Sequence, residues 1–272
     1  MSDAFFITGG PKSGTGWFQE YMTTNGTFCF FELTTQLVGG NVEKHINVQY
    51  SFTERFSNLD LATLEPQIMR LFTLYPYLLP ILEYNLKYLN PIGGISDNGI
   101  MPILLALNHY IPNARNLLIV RNGPDIALSL EHQIENHPWH EKLYPDYDTT
   151  DAFEIACHEY KRMADTMLYY NDCLDTNKVL IVNFERIFKD LGYLKRIWKF
   201  LTKGKIDFNP DRAQILQHKK SHTGIHKKPK GNTIHERWDT FPANKKKIFL
   251  ELVGEEFMRS IPGYSNFPDI DW

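Results

Sequence analysis

Apolar residues fall along this chain in short bursts bounded by glycine and proline, with longer amphipathic stretches between them. Phe5-Phe6-Ile7 is a compact run that stops at Gly9-Gly10, and a helical pattern (Trp17, Phe18, Tyr21, Met22) opens directly after a small-residue turn. Thr27 to Phe31 reads as a second strand, followed by Glu32. Asn116-Leu117-Leu118-Ile119-Val120 is almost continuously apolar, as expected of a parallel strand covered on both faces. It ends in the turn cluster Arg121-Asn122-Gly123-Pro124-Asp125, which opens a helix through Ile126, Ala127, Leu128, Ser129 and Leu130. Helical periodicity also marks residues 59–88, broken into short pieces by Pro76 and Pro80, and the segments Pro102 to His109, Ala152 to Leu174, Leu191 to Leu201 and Pro242 to Arg259. Glu131 to Thr150, with His-Pro-Trp-His at 137–140, is polar and aromatic and suits a loop or short lid. Strands alternating with helices predict an α/β fold: a central parallel sheet flanked by helices.

Composition narrows the picture. A chain of 272 residues can bury one large core, so a single domain over 1–272 is expected. Apolar content of 43% and charged content of 22% are ordinary for a globular protein. A net charge of −3 argues against a nucleic-acid partner, which calls for a basic face. No run of eighteen apolar residues and no basic n-region at the start favour a cytoplasmic protein without membrane partners. Cys29, Cys157 and Cys173 have neither metal-site nor redox-pair spacing and fit a reducing compartment.

The chemistry concentrates in two places. The first is Gly9 to Trp17, a strand–loop–helix in which glycines bring backbone N–H groups close to an anion and the new helix points its positive end at it. The Walker pattern does not fit: counting from Gly9 reaches Gly14, but Thr15 follows, and Lys12 stands two places before Gly14. The second is Arg121, at a strand's carboxyl end, with Ser129 two helical turns along. A guanidinium there can grip a phosphate with two parallel hydrogen bonds and a hydroxyl can add a third. The plainer reading pairs Arg121 with Asp125 and leaves Ser129 on a helix surface.

Pro11-Lys12-Ser13-Gly14-Thr15-Gly16-Trp17 resembles the Pro-Lys-Ser-Gly-Thr-x-Trp loop of sulfotransferases that use 3′-phosphoadenosine 5′-phosphosulfate (PAPS), with Gly16 where that family has Thr or Ser. Arg121, Asn122, Asp125 and Ser129 match the family's Arg-Asn-x-x-Asp-x-x-x-Ser segment, which binds the 3′-phosphate. Lys178 to Ile187 looks like its late strand, with Phe184 in place of a tyrosine that faces adenine. Lys227-Lys228-Pro229-Lys230-Gly231, followed by Trp238, resembles the Arg-Lys-Gly…Gly-x-Trp loop over the 3′-phosphate, two residues longer than usual. The resemblance implies the P-loop-like sulfotransferase fold and a donor site made of Pro11, Lys12, Ser13, Gly14, Thr15, Gly16, Trp17, Arg121, Ser129, Phe184, Lys230 and Gly231. It implies PAPS as donor, 3′-phosphoadenosine 5′-phosphate (PAP) as product, and no metal.

In such a transfer Lys12 follows negative charge onto the leaving oxygen, and a base takes the acceptor's proton. Phenol- and steroid-sulfating relatives use a histidine upstream of the second motif, but Ile95 to Pro102 has none. Carbohydrate-type relatives use a glutamate, and Glu32 fits that place; Asp97 and His45 are alternatives, and a turn-capping role for Glu32 is the plain one. The acceptor is expected to be a small molecule offering a hydroxyl or amine, such as a sugar or polar natural product. A phosphotransferase with a variant loop and a non-catalytic nucleotide-binding protein of the same fold are the competing readings.

Overall fold

The computed structural model describes residues 3–31, 92–136, 147–218 and 238–269. Strands β1 (Asp3–Gly9), β2 (Phe28–Phe31), β3 (Ile92–Ser96), β4 (Arg115–Val120) and β5 (Val179–Asn183) form one sheet in the order β2-β3-β1-β4-β5. Every strand pair is parallel, with Ile7 opposite Ser96 on one side of β1 and Gly9 opposite Ile119 on the other.

The alternation of side chains along the central strands sorts them onto two cores. Ala4, Phe6, Leu118 and Val120 pack with α2 (Leu104–Tyr110), α3 (Gly123–Asn136), α4 (Ala152–Cys173), α7 (Ala243–Leu252) and α8 (Glu255–Ser260) through Leu107, Leu130, Tyr160, Phe249 and Met258. Phe5, Ile7, Leu117 and Ile119 pack on the opposite face with α1 (Thr15–Thr24), α5 (Leu191–Thr202) and α6 (Pro210–His218) through Phe18, Trp198 and Leu216. Both faces of β1 and β4 are therefore covered, which is why those strands read as unbroken apolar runs. Each large side chain buried in this way contributes about 1.5–3 kcal/mol, so the sheet is a stiff frame for the segments that leave its carboxyl edge.

Helix starts follow local chemistry. The Asp151 carboxylate caps α4 by accepting the Phe153 and Glu154 N–H groups, and Asp190 caps α5 by accepting from Tyr193. Elsewhere the structure departs from the sequence reading. The helix expected from Pro242 to Arg259 is two helices, α7 and α8, separated at Gly254, whose φ of 87° cannot continue a helix. Helix α3 runs on to Asn136 and takes in the first residues of the stretch expected as a loop; Ile134 is buried there against Ile155. The late strand ends at Asn183, and Glu185–Phe188 forms a 3-10 turn. Strand β3 was hidden by Gly93 and Gly94; a side chain at Gly94 would strike the Phe5 backbone, so close packing demanded the residue that weakens the strand pattern. Residues 59–88 and the 137–140 segment lie outside the described residues.

Candidate active site

Because β1 and β4 are neighbours, the segments leaving their carboxyl ends begin side by side. This is the crevice where open α/β sheets gather ligands. The loop after β1 folds on itself. Ser13 N–H donates to the Gly10 carbonyl at 3.0 Å, Lys12 takes a left-handed φ of 65°, and Gly14 takes φ 114° at the start of α1. A side chain on Gly14 would also run into the Phe184 ring, so two independent constraints require glycine here. Gly14 at the start of α1 has no side chain to cap it, and among the described residues no side chain accepts from the helix's first N–H groups, which suits an outside acceptor. Pro11, Thr15, Gly16 and Trp17 are half-buried, and Lys12 is exposed. The Thr15 carbonyl accepts from the Ser96 hydroxyl at 2.8 Å, which ties the helix start to β3. The Ser13 hydroxyl is fully buried and has no hydrogen-bond partner among the described residues.

Arg121 closes the gap between the two segments: its Nη1 donates to the Lys12 carbonyl at 2.8 Å. The guanidinium lies 5.6 Å from the centroid of the Phe184 ring and 3.8 Å from the Asp125 carboxylate, so part of the plainer expectation for Arg121 holds as well. Ser129 is half-buried two turns along α3. The turn is secured from behind. Phe184 N–H donates to the Val120 carbonyl at 2.9 Å, Tyr160 hydroxyl to the Arg121 carbonyl at 3.4 Å, and Asn122 N–H to Glu185 Oε1 at 2.8 Å. Burial pushes the Tyr160 phenol up, which keeps it a neutral donor.

Aromatic rings gather beside the loop. Trp17 stacks on Tyr21 at 5.2 Å and meets Phe184 and Phe188 edge-on at 6.4 and 5.5 Å. Its Nε1 points at the Leu216 carbonyl of α6, 3.4 Å away. Phe188 is partly exposed and packs edge-on against Phe184 at 5.1 Å. Trp238, in contrast, is a core anchor packed on Phe241, Phe249 and Phe267.

Among the alternatives for the base, Asp97 is buried at the carboxyl end of β3 and its Oδ1 accepts the Gly99 N–H at 2.8 Å as a helix cap. Glu32, His45, Lys230 and Gly231 lie outside the described residues. Tyr160, Phe188 and Tyr264 were not singled out from the sequence, and Glu185 was read only as part of the Lys178–Ile187 segment that resembles the family's late strand. Phe188 carried a local signal in its four-residue spacing from Phe184, and Glu185 carried one in its place directly after Phe184.

Lysine, guanidinium, open backbone donors and a helix start converging on one edge can bind an anion with several phosphate-like groups. The chain belongs to the sulfotransferase domain family, whose model matches residues 2–247. Among solved structures it is similar to the sulfotransferase domain from the curacin biosynthetic pathway (17% identity, 93% of this chain and 98% of that one, TM-score 0.53). It is also similar to mouse sulfotransferase SULT7A1 complexed with PAP (18% identity, 95% and 85%, TM-score 0.52). A third likeness is to the sulfotransferase domain of the Synechococcus PCC 7002 olefin synthase (15% identity, 94% and 94%, TM-score 0.54). At these identities the likeness is one of fold. A comparison with curated protein sequences found no match. Among the described residues no helix is long and apolar enough to cross a membrane.

Proposed function

We propose that the whole chain, 1–272, is one sulfotransferase domain that moves the sulfuryl group of PAPS to a hydroxyl or amine of a small polar acceptor, such as a sugar or polar natural product. The observation that carries this reading is the 2.8 Å hydrogen bond from Arg121 to the Lys12 carbonyl, which joins two cationic segments at one sheet edge. The Ser13 hydroxyl, buried and without a hydrogen-bond partner among the described residues, supports it, since an anion oxygen would relieve a desolvation cost of about 1–3 kcal/mol. The PAP held by the mouse neighbour supports the choice of donor.

The acceptor oxygen or nitrogen attacks sulfur, and the bond from sulfur to the bridging oxygen of the 5′-phosphate breaks, releasing PAP. Lys12 neutralises charge growing on that oxygen, the loop N–H groups and Ser13 hold the 5′-phosphate, and Arg121 with Ser129 grips the 3′-phosphate. Lys230 and Gly231 complete the 3′-phosphate contact, while Trp17 and Phe184 provide aromatic surface for adenine. Glu32, which follows β2 in the chain, takes the acceptor proton; the capping bond on Asp97 makes that residue the weaker base.

Incubation with PAPS carrying radiolabelled sulfur and a panel of sugars, polyols, phenols and amines tests the proposal. Label is expected on a hydroxyl or amine product with stoichiometric PAP. Failure of the protein to bind PAP would overturn it.

A further inference from the structure

Behind the Arg121 turn stands a carboxylate to which the transfer assigns no chemical task. Glu185 opens the 3-10 turn after β5, and both of its oxygens are engaged. Oε1 accepts the Asn122 N–H at 2.8 Å, and Oε2 accepts the Tyr264 hydroxyl at 2.7 Å. On the other side, the Arg121 carbonyl accepts from Tyr160 at 3.4 Å. The carbonyl of Arg121 and the N–H of Asn122 belong to one peptide unit, held at its N–H by Glu185 and met at its carbonyl by the Tyr160 hydroxyl, whose one proton also reaches the Met258 sulfur at 3.3 Å. Holding this planar unit restricts the rotations on either side of it and therefore the direction in which the Arg121 side chain leaves the backbone. The residue before Glu185 is Phe184, whose ring lies beneath the guanidinium.

Tyr264 comes from far along the chain, past residue 247 where the family match ends. It is fully buried, and burial together with Glu185 pushes its phenol well up, so it remains a donor. Its segment is pinned separately: Asn183 Nδ2 donates to the Pro262 carbonyl at 2.8 Å, and Tyr264 N–H to the Ile261 carbonyl at 3.0 Å. The Tyr264 hydroxyl orients Glu185, and a charged acceptor holds the Asn122 N–H more firmly than a neutral one would.

We infer that Glu185, oriented by Tyr264, is a positioning residue that aims the Arg121 guanidinium at the donor's 3′-phosphate, so that the C-terminal segment beyond the family match helps set nucleotide selectivity. The inference rests on the proposed role of Arg121. Small misplacements of a binding group are costly, so the effect falls on the 3′-phosphate and spares the rest of the nucleotide.

Calorimetric titration of the full chain with PAP and with AMP, which lacks the 3′-phosphate, isolates that contact as a ratio of affinities. The wild type is expected to prefer PAP. Glu185→Ala is expected to cut the preference about tenfold, equivalent to roughly 1.4 kcal/mol, with AMP affinity unchanged. Glu185→Gln, whose carbonyl still accepts from Asn122, restores most of it, and Tyr264→Phe falls between. Tyr264→Phe removes a single hydroxyl and carries the same test should Glu185→Ala not fold. A general loss of stability would lower both affinities together, and that result, or an unchanged ratio in the variants, overturns the inference while leaving the donor assignment standing. A wild type that binds AMP as well as PAP overturns both.

Discussion

The two segments that meet at the sheet's carboxyl edge are held in opposite ways. The loop after β1 is shaped by its own residues: the Ser13-to-Gly10 hydrogen bond, left-handed Lys12, and Gly14 at a φ few other residues adopt. The turn after β4 is held from a distance, by Tyr160 on α4, by Glu185 after β5 and, through Glu185, by Tyr264 near the C-terminus. One segment takes its turn from its own short string and is only tied down from outside, by Ser96 and Arg121; the other borrows its conformation from three remote parts of the fold. The loop should therefore fail through single local substitutions, and the turn should weaken through changes that never touch the ligand.

The largest effect is expected at Lys12. Lys12→Ala should lower kcat on the order of 10²–10³-fold, the cost of removing one donor from developing charge. Because the Lys12 side chain is exposed, the urea unfolding midpoint should stay where it is. A matching drop in stability would make the loss one of folding rather than of charge.

A smaller effect, in stability as well as binding, is expected from Gly14→Ala. The positive φ and the collision with Phe184 together should cost about 1–3 kcal/mol of unfolding free energy. Adding Phe184→Ala should recover the collision share and leave the backbone share, a separation that a double-mutant cycle reads directly. A Gly14→Ala protein as stable as the wild type would mean that the loop is not held in this shape.

The smallest effect sharpens the comparison from the far end of the same strand. Asp3, at the amino end of β1, pairs with Lys203 at 2.7 Å and with Lys205. Burial alone would raise its pKa, but the two lysines outweigh burial and the net shift is downward. A lowered folded-state pKa means that the stabilisation is present above the ordinary carboxylate range and lost as pH falls through the folded value. Wild type should exceed Asp3→Asn modestly in unfolding free energy near pH 7, and the gap should close as pH falls toward 3, with nucleotide affinity unaltered at neutral pH. A gap independent of pH would count against the pairing.

How much of this was readable in advance follows the same division. The loop from Pro11 to Trp17 and the strands β1 and β4 were legible because each depends on neighbours within a few residues, and the Arg121–Ser129 spacing because it resembles a family motif. Strand β3 was not, since Gly94 is required by the Phe5 backbone of another strand and erases the apolar signature. The break between α7 and α8 turned on one positive φ at Gly254 inside an otherwise helical pattern. Glu185 stood in the segment that resembles the family's late strand but with no task assigned to it, and nothing near Tyr264 in the chain announces a carboxylate 79 positions earlier.

The amino-acid order alone determined the class of fold, because alternating apolar periods and a glycine-shaped anion loop are short-range facts of backbone sterics, while the family followed from the resemblance of Pro11–Trp17 and Arg121–Ser129 to its motifs. Only the folded chain decided that Arg121 meets the Lys12 carbonyl and that a residue near the C-terminus steadies the peptide beside it. Those contacts arise from strand order and packing, which bring together groups that the linear chain keeps far apart.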